Sequence, residues 1–115
     1  MANTFKVITK AGVVSEDIIY TVASATTTVV LGLILGNTTT SQTTSTVTLV
    51  SNTASRAGNN DEANQNVELV TNAPIPAGSS LEMLAGNKVV LEATDEIRVT
   101  AANATDVALS IMEIT

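Results

Sequence analysis

Apolar residues in this chain recur mostly at every second position, in short runs separated by Thr, Ser, Asn and Gly. A period of two marks extended strands, because successive side chains point to opposite faces of a sheet. The runs predict strands over residues 5–9, 18–22, 26–37, 46–51, 67–70, 81–83, 89–91, 97–99 and 107–111. Turn residues return about every ten positions, the rhythm of a sandwich or jelly roll. No useful length of chain has a 3.6-residue period, and only residues 61–65 could add a single helical turn. The expected fold class is therefore all-β: a single antiparallel β-sandwich or jelly-roll-like domain spanning residues 1–115.

Two runs break the alternation. In residues 26–37, strict alternation puts Val29, Leu31, Leu33 and Leu35 on one face and Val30, Gly32, Ile34 and Gly36 on the other, so neither face suits water. This reads as a central strand covered on both sides. Glycine inside a strand marks close approach of another backbone or a bulge, or here makes room for Tyr20 or Met83. In the last run Val107, Leu109 and Ile111 share one face while Ala108, Met112 and Ile114 line the other. Two doubly apolar strands in so small a domain point to an oligomer, with Val30, Gly32, Ile34, Gly36, Ala108, Met112 and Ile114 as interface candidates. The competing reading tucks the last strand under the chain's own long loop.

That loop is the polar stretch at about 52–66, rich in Asn, Ser, Gly and Asp and free of apolar periodicity. Lys10-Ala11-Gly12 and Ala85-Gly86-Asn87 read as turns. Around Pro74 and Pro76 the chain cannot donate to a ladder, which predicts a crossing between sheets rather than a tight hairpin.

Composition narrows the chemistry. The 115 residues suffice for one core, and with 44% apolar but only 2% aromatic residues that core must be aliphatic. Net charge is −6, and the five basic residues are scattered, so neither direct nucleic-acid binding nor attachment to an anionic membrane is expected. The apolar run 29–36 is far shorter than the roughly 20 residues of a membrane helix. Ala23-Ser24-Ala25 resembles a signal-peptidase site but follows Glu16-Asp17 rather than an apolar segment, so synthesis in the cytoplasm is expected.

With no Cys and no His, the usual zinc, iron and copper ligands are missing. The carboxylate pairs Glu16-Asp17, Asp61-Glu62 and Asp95-Glu96 are sequence neighbours, which a strand points to opposite faces, so they read as solvated turns rather than an acid–base pair. Residues 58–62 offer oxygen ligands at close spacing without the pattern of a calcium loop. Without His, a Ser or Thr nucleophile would need Lys as base, and no S-x-x-K occurs. Asn37-Thr38-Thr39 and Asn103-Ala104-Thr105 match the glycosylation sequon, a common chance match. The expectation is a non-enzyme with no catalytic, cofactor-binding or metal residues.

Tyr20-Thr21-Val22, the run from Thr27 to Leu33 with Asn37, the run Pro74-Ile75-Pro76-Ala77-Gly78-Ser79-Ser80-Leu81, and the run from Leu91 to Val99 together resemble the small β-rich virion proteins of tailed bacteriophages, particularly cyanophages. Where those proteins often carry V-P-A-G, this chain has Val22-Ala23-Ser24-Ala25. The resemblance implies a structural role on the virion, first as a capsid decoration (cement) protein that binds the head exterior as a homo-oligomer. Its implied partners are other copies of itself, with a trimer suited to threefold lattice sites, and the major capsid protein. A tail or tail-fibre adhesin module is the alternative. A carbohydrate-active or lectin-like domain is remote, because sugar-stacking aromatics are nearly absent.

Overall fold

The computed structural model describes residues 2–52, 65–83 and 88–115. The regions at 58–62 and Ala85-Gly86-Asn87 lie outside the described residues. Seven strands run in the order β1 (Asn3–Thr21), β2 (Thr27–Asn37), β3 (Thr43–Ser51), β4 (Gln65–Ile75), β5 (Ser80–Met83), β6 (Val89–Leu91) and β7 (Glu96–Ile114). All pairings are antiparallel, and all strands belong to one sheet. The fold is all-β as expected, but a single curled sheet takes the place of two separate ones.

β7 organises it. β1 follows β7 along nearly its whole length, while β2 lies against residues 105–114 of β7 and β3 against residues 96–101. β4 continues the sheet beyond β3. Beyond β2, β5 pairs with residues 33–36 and β6 with residues 28–30. β5 and β6 are therefore successive pieces of one edge strand along β2, not the two arms of a hairpin. The Pro-rich stretch joins β4 at one end of the sheet to β5 at the other, so the expected crossing between sheets is instead a connection between the two edges of one curled sheet, and a tight hairpin is absent there as expected. Pro74 sits on edge strand β4, where a missing N–H is tolerated. Gly78 takes φ +70° in the turn closed by the Ser79 N–H to the Pro76 carbonyl, a conformation open to glycine at little cost.

Length shows that the sheet must bend. Nineteen residues of straight strand would span roughly 63 Å, yet the longest extent of the molecule is 45 Å. Tyr20 proves the fold-back: it pairs with Ile97 near the start of β7, while its hydroxyl donates to Glu113 Oε2 near the end of β7 at 2.6 Å. The bend falls where the β1–β7 register shifts between Lys10, Val13 and Ser15, opposite residues 101–107 of β7. Gly12 (φ +67°) and Ser15 (φ +55°) absorb it. Lys10-Ala11-Gly12 is thus a bulged bend within β1 rather than a turn.

Curling brings both halves of the sheet around one aliphatic core. Val30, Leu33, Leu35, Leu109 and Ile111 from one half pack in the same cluster as Val47, Ile97, Val99 and Ile19 from the other, closed by Ile75 and Leu91. Val47 and Leu49 point inward as their alternation predicts. The strand buried on both faces is β3, whose residues 47–51 are all buried, and not β2.

Polar residues fasten the ends. Asn37 is buried and its side chain is fully used: Nδ2 donates to the carbonyls of Ser41 (2.8 Å) and Ile75 (2.9 Å), while Oδ1 accepts from Thr39 N–H (2.9 Å) and Thr39 Oγ1 (2.7 Å). It ties the β2–β3 turn to the end of β4, which removes it as a glycosylation site. Asp95 is wholly buried, with its carboxylate accepting from the backbone N–H groups of Asn52 (2.9 Å) and Glu92 (3.0 Å). The solvated turn expected for Asp95-Glu96 is instead a buried fastener joining the ends of β3 and β6.

Candidate assembly interface

The surface feature without an internal explanation is the outer side of the β1–β7–β2–β5/β6 half-sheet. Cross-strand pairing sets Phe5, Met112, Val29 and Val90 in one row, Val7, Ser110 and Gly32 in the next, and Thr9, Ala108, Ile34 and Glu82 in the third. Phe5 is 71% exposed, Val7 61%, Val90 53% and Ile34 46%. Single exposed apolar residues are ordinary, but a contiguous patch across four strands marks a contact surface. The chain has one Phe and one Tyr; the core takes the Tyr, and the Phe stands outside.

β2 owes this face to a bulge. Val30 pairs with Ile111 but Gly32 pairs with Ser110, so Leu31 is an extra residue. The inward side therefore switches from Thr28 and Val30 to Leu33, Leu35 and Asn37. Val30, an expected interface residue, is fully buried in the core, because strict alternation fails across Leu31. The other six, Gly32, Ile34, Gly36, Ala108, Met112 and Ile114, share the outer side. Phe5, Val7, Val29 and Val90 join them without having been singled out in the sequence. The signal for Phe5 and Val7 was their alternation in the first strand, which gains meaning only once β1 is placed beside β7.

At its far end the face sinks into a hollow of about 350 Å³ lined by Thr9, Ala11, Ile34, Gly36, Asp106 and Ala108 among others. Asp106 holds the rim through Oδ1, which accepts the Gly12 N–H at 2.9 Å across the β1 bend. The charged residues of the three rows and the hollow are Glu82, Asp106 and Lys10, which also lines the hollow.

The acidic residues are dispersed. Glu16 and Glu96 both meet Arg98, Glu96 at 2.8 Å and Glu16 at 3.5 Å, and Asp17 lies 4.0 Å from Lys10. Among the described residues no group of three or more acidic side chains converges on a possible metal position. Tyr20, Thr28, Glu113 and Lys6 form a polar cluster at one end of the core. Burial, then the Glu113 hydrogen bond, pushes the Tyr20 phenol up to about 12. Lys6 Nζ at 2.7 Å, followed by the Tyr20 hydroxyl, holds the Glu113 carboxyl below its ordinary value. This cluster clamps the two ends of β7.

No family model matches the chain, and no curated protein matches its sequence. Among solved structures, a chain from Bacillus endospore appendages, described as a family of disulfide-linked pili, aligns over 96% of this chain and 85% of its own, with 16% identity and a TM-score of 0.43. A chain of the T13 IBDV viral particle aligns over 96% of this chain but 35% of its own, with 13% identity and a TM-score of 0.27. At such scores neither likeness bears on what this chain does.

Proposed function

We propose that the chain is a non-enzymatic structural protein of a phage virion, a capsid decoration protein that associates with copies of itself on the head exterior. The observation that carries the reading is the apolar outer face running from Phe5 across Met112 and Val29 to Val90 and down to Ile34 and Ala108. A contiguous apolar face of this kind marks a contact surface, and covering it removes apolar area from water. The phage-like sequence runs supply the setting, and the acidic surface suits a protein that coats particles without binding nucleic acid.

Light scattering on the purified protein and on Ile34→Asp tests self-association. The wild type is expected to be oligomeric and the variant to be a folded monomer, since Ile34 contributes no core packing. A wild-type monomer removes self-association from the reading. On particles, an antibody to the chain is expected to label heads at many copies and to lose that label after mild denaturation. Label confined to tails at few copies would overturn decoration in favour of a tail module.

A further inference from the structure

We propose that the outer face pairs with the same face of a second copy about a twofold axis, seating Phe5 of each copy over Thr9, at the β1 side of the other's hollow. This rests on the self-associating reading above and fixes its partner and register.

The glycines of β2 are the first argument. A Cβ added at Gly32 would meet no heavy atom within 4 Å, and one at Gly36 would meet only the Asp106 carbonyl oxygen, at 3.9 Å. Neither position has the positive φ that favours glycine. Glycine in a strand weakens it and removes a packing side chain. The fold of one chain gives no reason for either, whereas close approach by another body does.

Shape is the second. The face has a protruding end, the row of Phe5, Met112, Val29 and Val90, and a sunken end, where Thr9, Ile34, Gly36, Asp106 and Ala108 line the hollow. Between them lies the row of Val7, Ser110 and Gly32. Phe5 stands one row to one side of that middle row, and the hollow spans the first and second rows on the other. A twofold axis running across the strands near the middle row therefore lays Phe5 over the partner's hollow and the reverse, the self-complementarity that an isologous contact requires.

Area is the third. Ten residues of strand length by four strands give roughly 600 Å² per copy, or about 1,200 Å² for the pair, above the roughly 1,000 Å² that separates specific interfaces from incidental contacts. The charged residues here are Glu82, Asp106 and Lys10; Asp106 already accepts the Gly12 N–H and Lys10 lies 4.0 Å from Asp17, so pairing leaves few charges without a partner.

The test compares wild type, Phe5→Ala and Gly36→Val by sedimentation over a concentration series, with circular dichroism and thermal unfolding to confirm the fold. Gly36→Val fills the hollow while meeting open space in its own chain, and a β-branched residue suits a strand. Each variant is expected to raise the dimer dissociation constant about 30-fold or more, as truncation of a central aromatic anchor does. The chain has no cysteine, so Ser110→Cys and Asn3→Cys each carry a single thiol for a short bis-maleimide. Ser110→Cys is expected to cross-link to its copy across facing sheets about 10 Å apart. Two copies of Asn3, each four residues from the axis, stand roughly 27 Å apart and should not cross-link. A wild-type oligomer that Phe5→Ala and Gly36→Val leave unchanged, a trimer, or cross-linking at Asn3→Cys but not Ser110→Cys overturns this pairing while leaving self-association standing. A wild-type monomer overturns both.

Discussion

Replacing Tyr20 by Phe keeps the ring in the core and removes only the hydroxyl that joins the two ends of β7. A carboxylate can only accept, so the phenol proton goes to Glu113 Oε2 at 2.6 Å, and Thr28 Oγ1 must donate to the phenol oxygen at 2.8 Å. The change removes one hydrogen bond to a charged group, worth about 1.5–3 kcal/mol, and strips the partner from the Thr28 hydroxyl, which is fully buried. Glu113 keeps Lys6 at 2.7 Å, so its charge is not stranded. The expected loss is about 3 kcal/mol. With an unfolding entropy of about 2.1 cal/mol/K per residue over 115 residues, that lowers Tm by about 12 °C.

Its pH signature separates the hydroxyl from mere packing. The folded phenol is pushed up to about 12, above its unfolded value near 10, so its neutral form is the one that the fold stabilises. That contribution is complete below pH 10 and disappears as pH rises towards 12. Calorimetry across pH 8–12 should show the wild type losing stability on this limb and Tyr20→Phe lacking that component. Glu113 works in the opposite direction: its folded value is depressed, so its contribution is present above the ordinary carboxylate range and fades as pH falls through it. A Tyr20→Phe protein within about 1 kcal/mol of wild type, with the same alkaline limb, would refute the clamp.

Asn37→Ala deletes four side-chain hydrogen bonds, taking a donor from the Ile75 carbonyl and the acceptor from the Thr39 N–H while the Ser41 carbonyl keeps the Thr39 hydroxyl, for an expected loss of about 3 kcal/mol read from the denaturant midpoint. Deleting Leu31 removes the bulge and makes Val30 and Gly32 consecutive opposite Ile111 and Ser110, so Thr28, Val30, Leu33, Leu35 and Asn37 all keep their inward places. That variant is expected to keep a cooperative unfolding transition and a well-dispersed NMR spectrum, and loss of both would contradict the register.

The all-β class was legible because alternation survives wherever a strand lies between core and solvent, as in Val107, Leu109 and Ile111 or Val47 and Leu49. The long strands were not. Gly12 and the small and polar residues between Ala101 and Asp106 have the composition of turns, and the same conformational freedom that serves a turn also lets a 19-residue strand bend without leaving its ladder. Asp95 misled for a related reason. It does sit in a turn, but three other segments end there, and their backbone N–H groups need an acceptor that only the tertiary fold reveals.

The interface depended on one residue. Read with unbroken parity, residues 26–37 place Val30 beside Gly32, Ile34 and Gly36, and no local feature marks Leu31 as the extra position. The bulge becomes visible only against Ile111 and Ser110, consecutive residues of a strand some eighty positions away. It does two things at once: it keeps Val30, Leu33 and Leu35 in the core, and it delivers both glycines and Ile34 to the outer face. With Leu31 paired in the ladder instead, Gly32 and Gly36 would share the column of Val30, so either they would face inward and open voids in a core with almost no aromatic side chains, or Val30 would turn out of it. Placed outward, they leave no void in the chain, and Gly36 lines the hollow that the proposed pairing covers. The bulge thus accounts for why a strand this apolar can tolerate two glycines: the packing they forgo inside one chain is available between two.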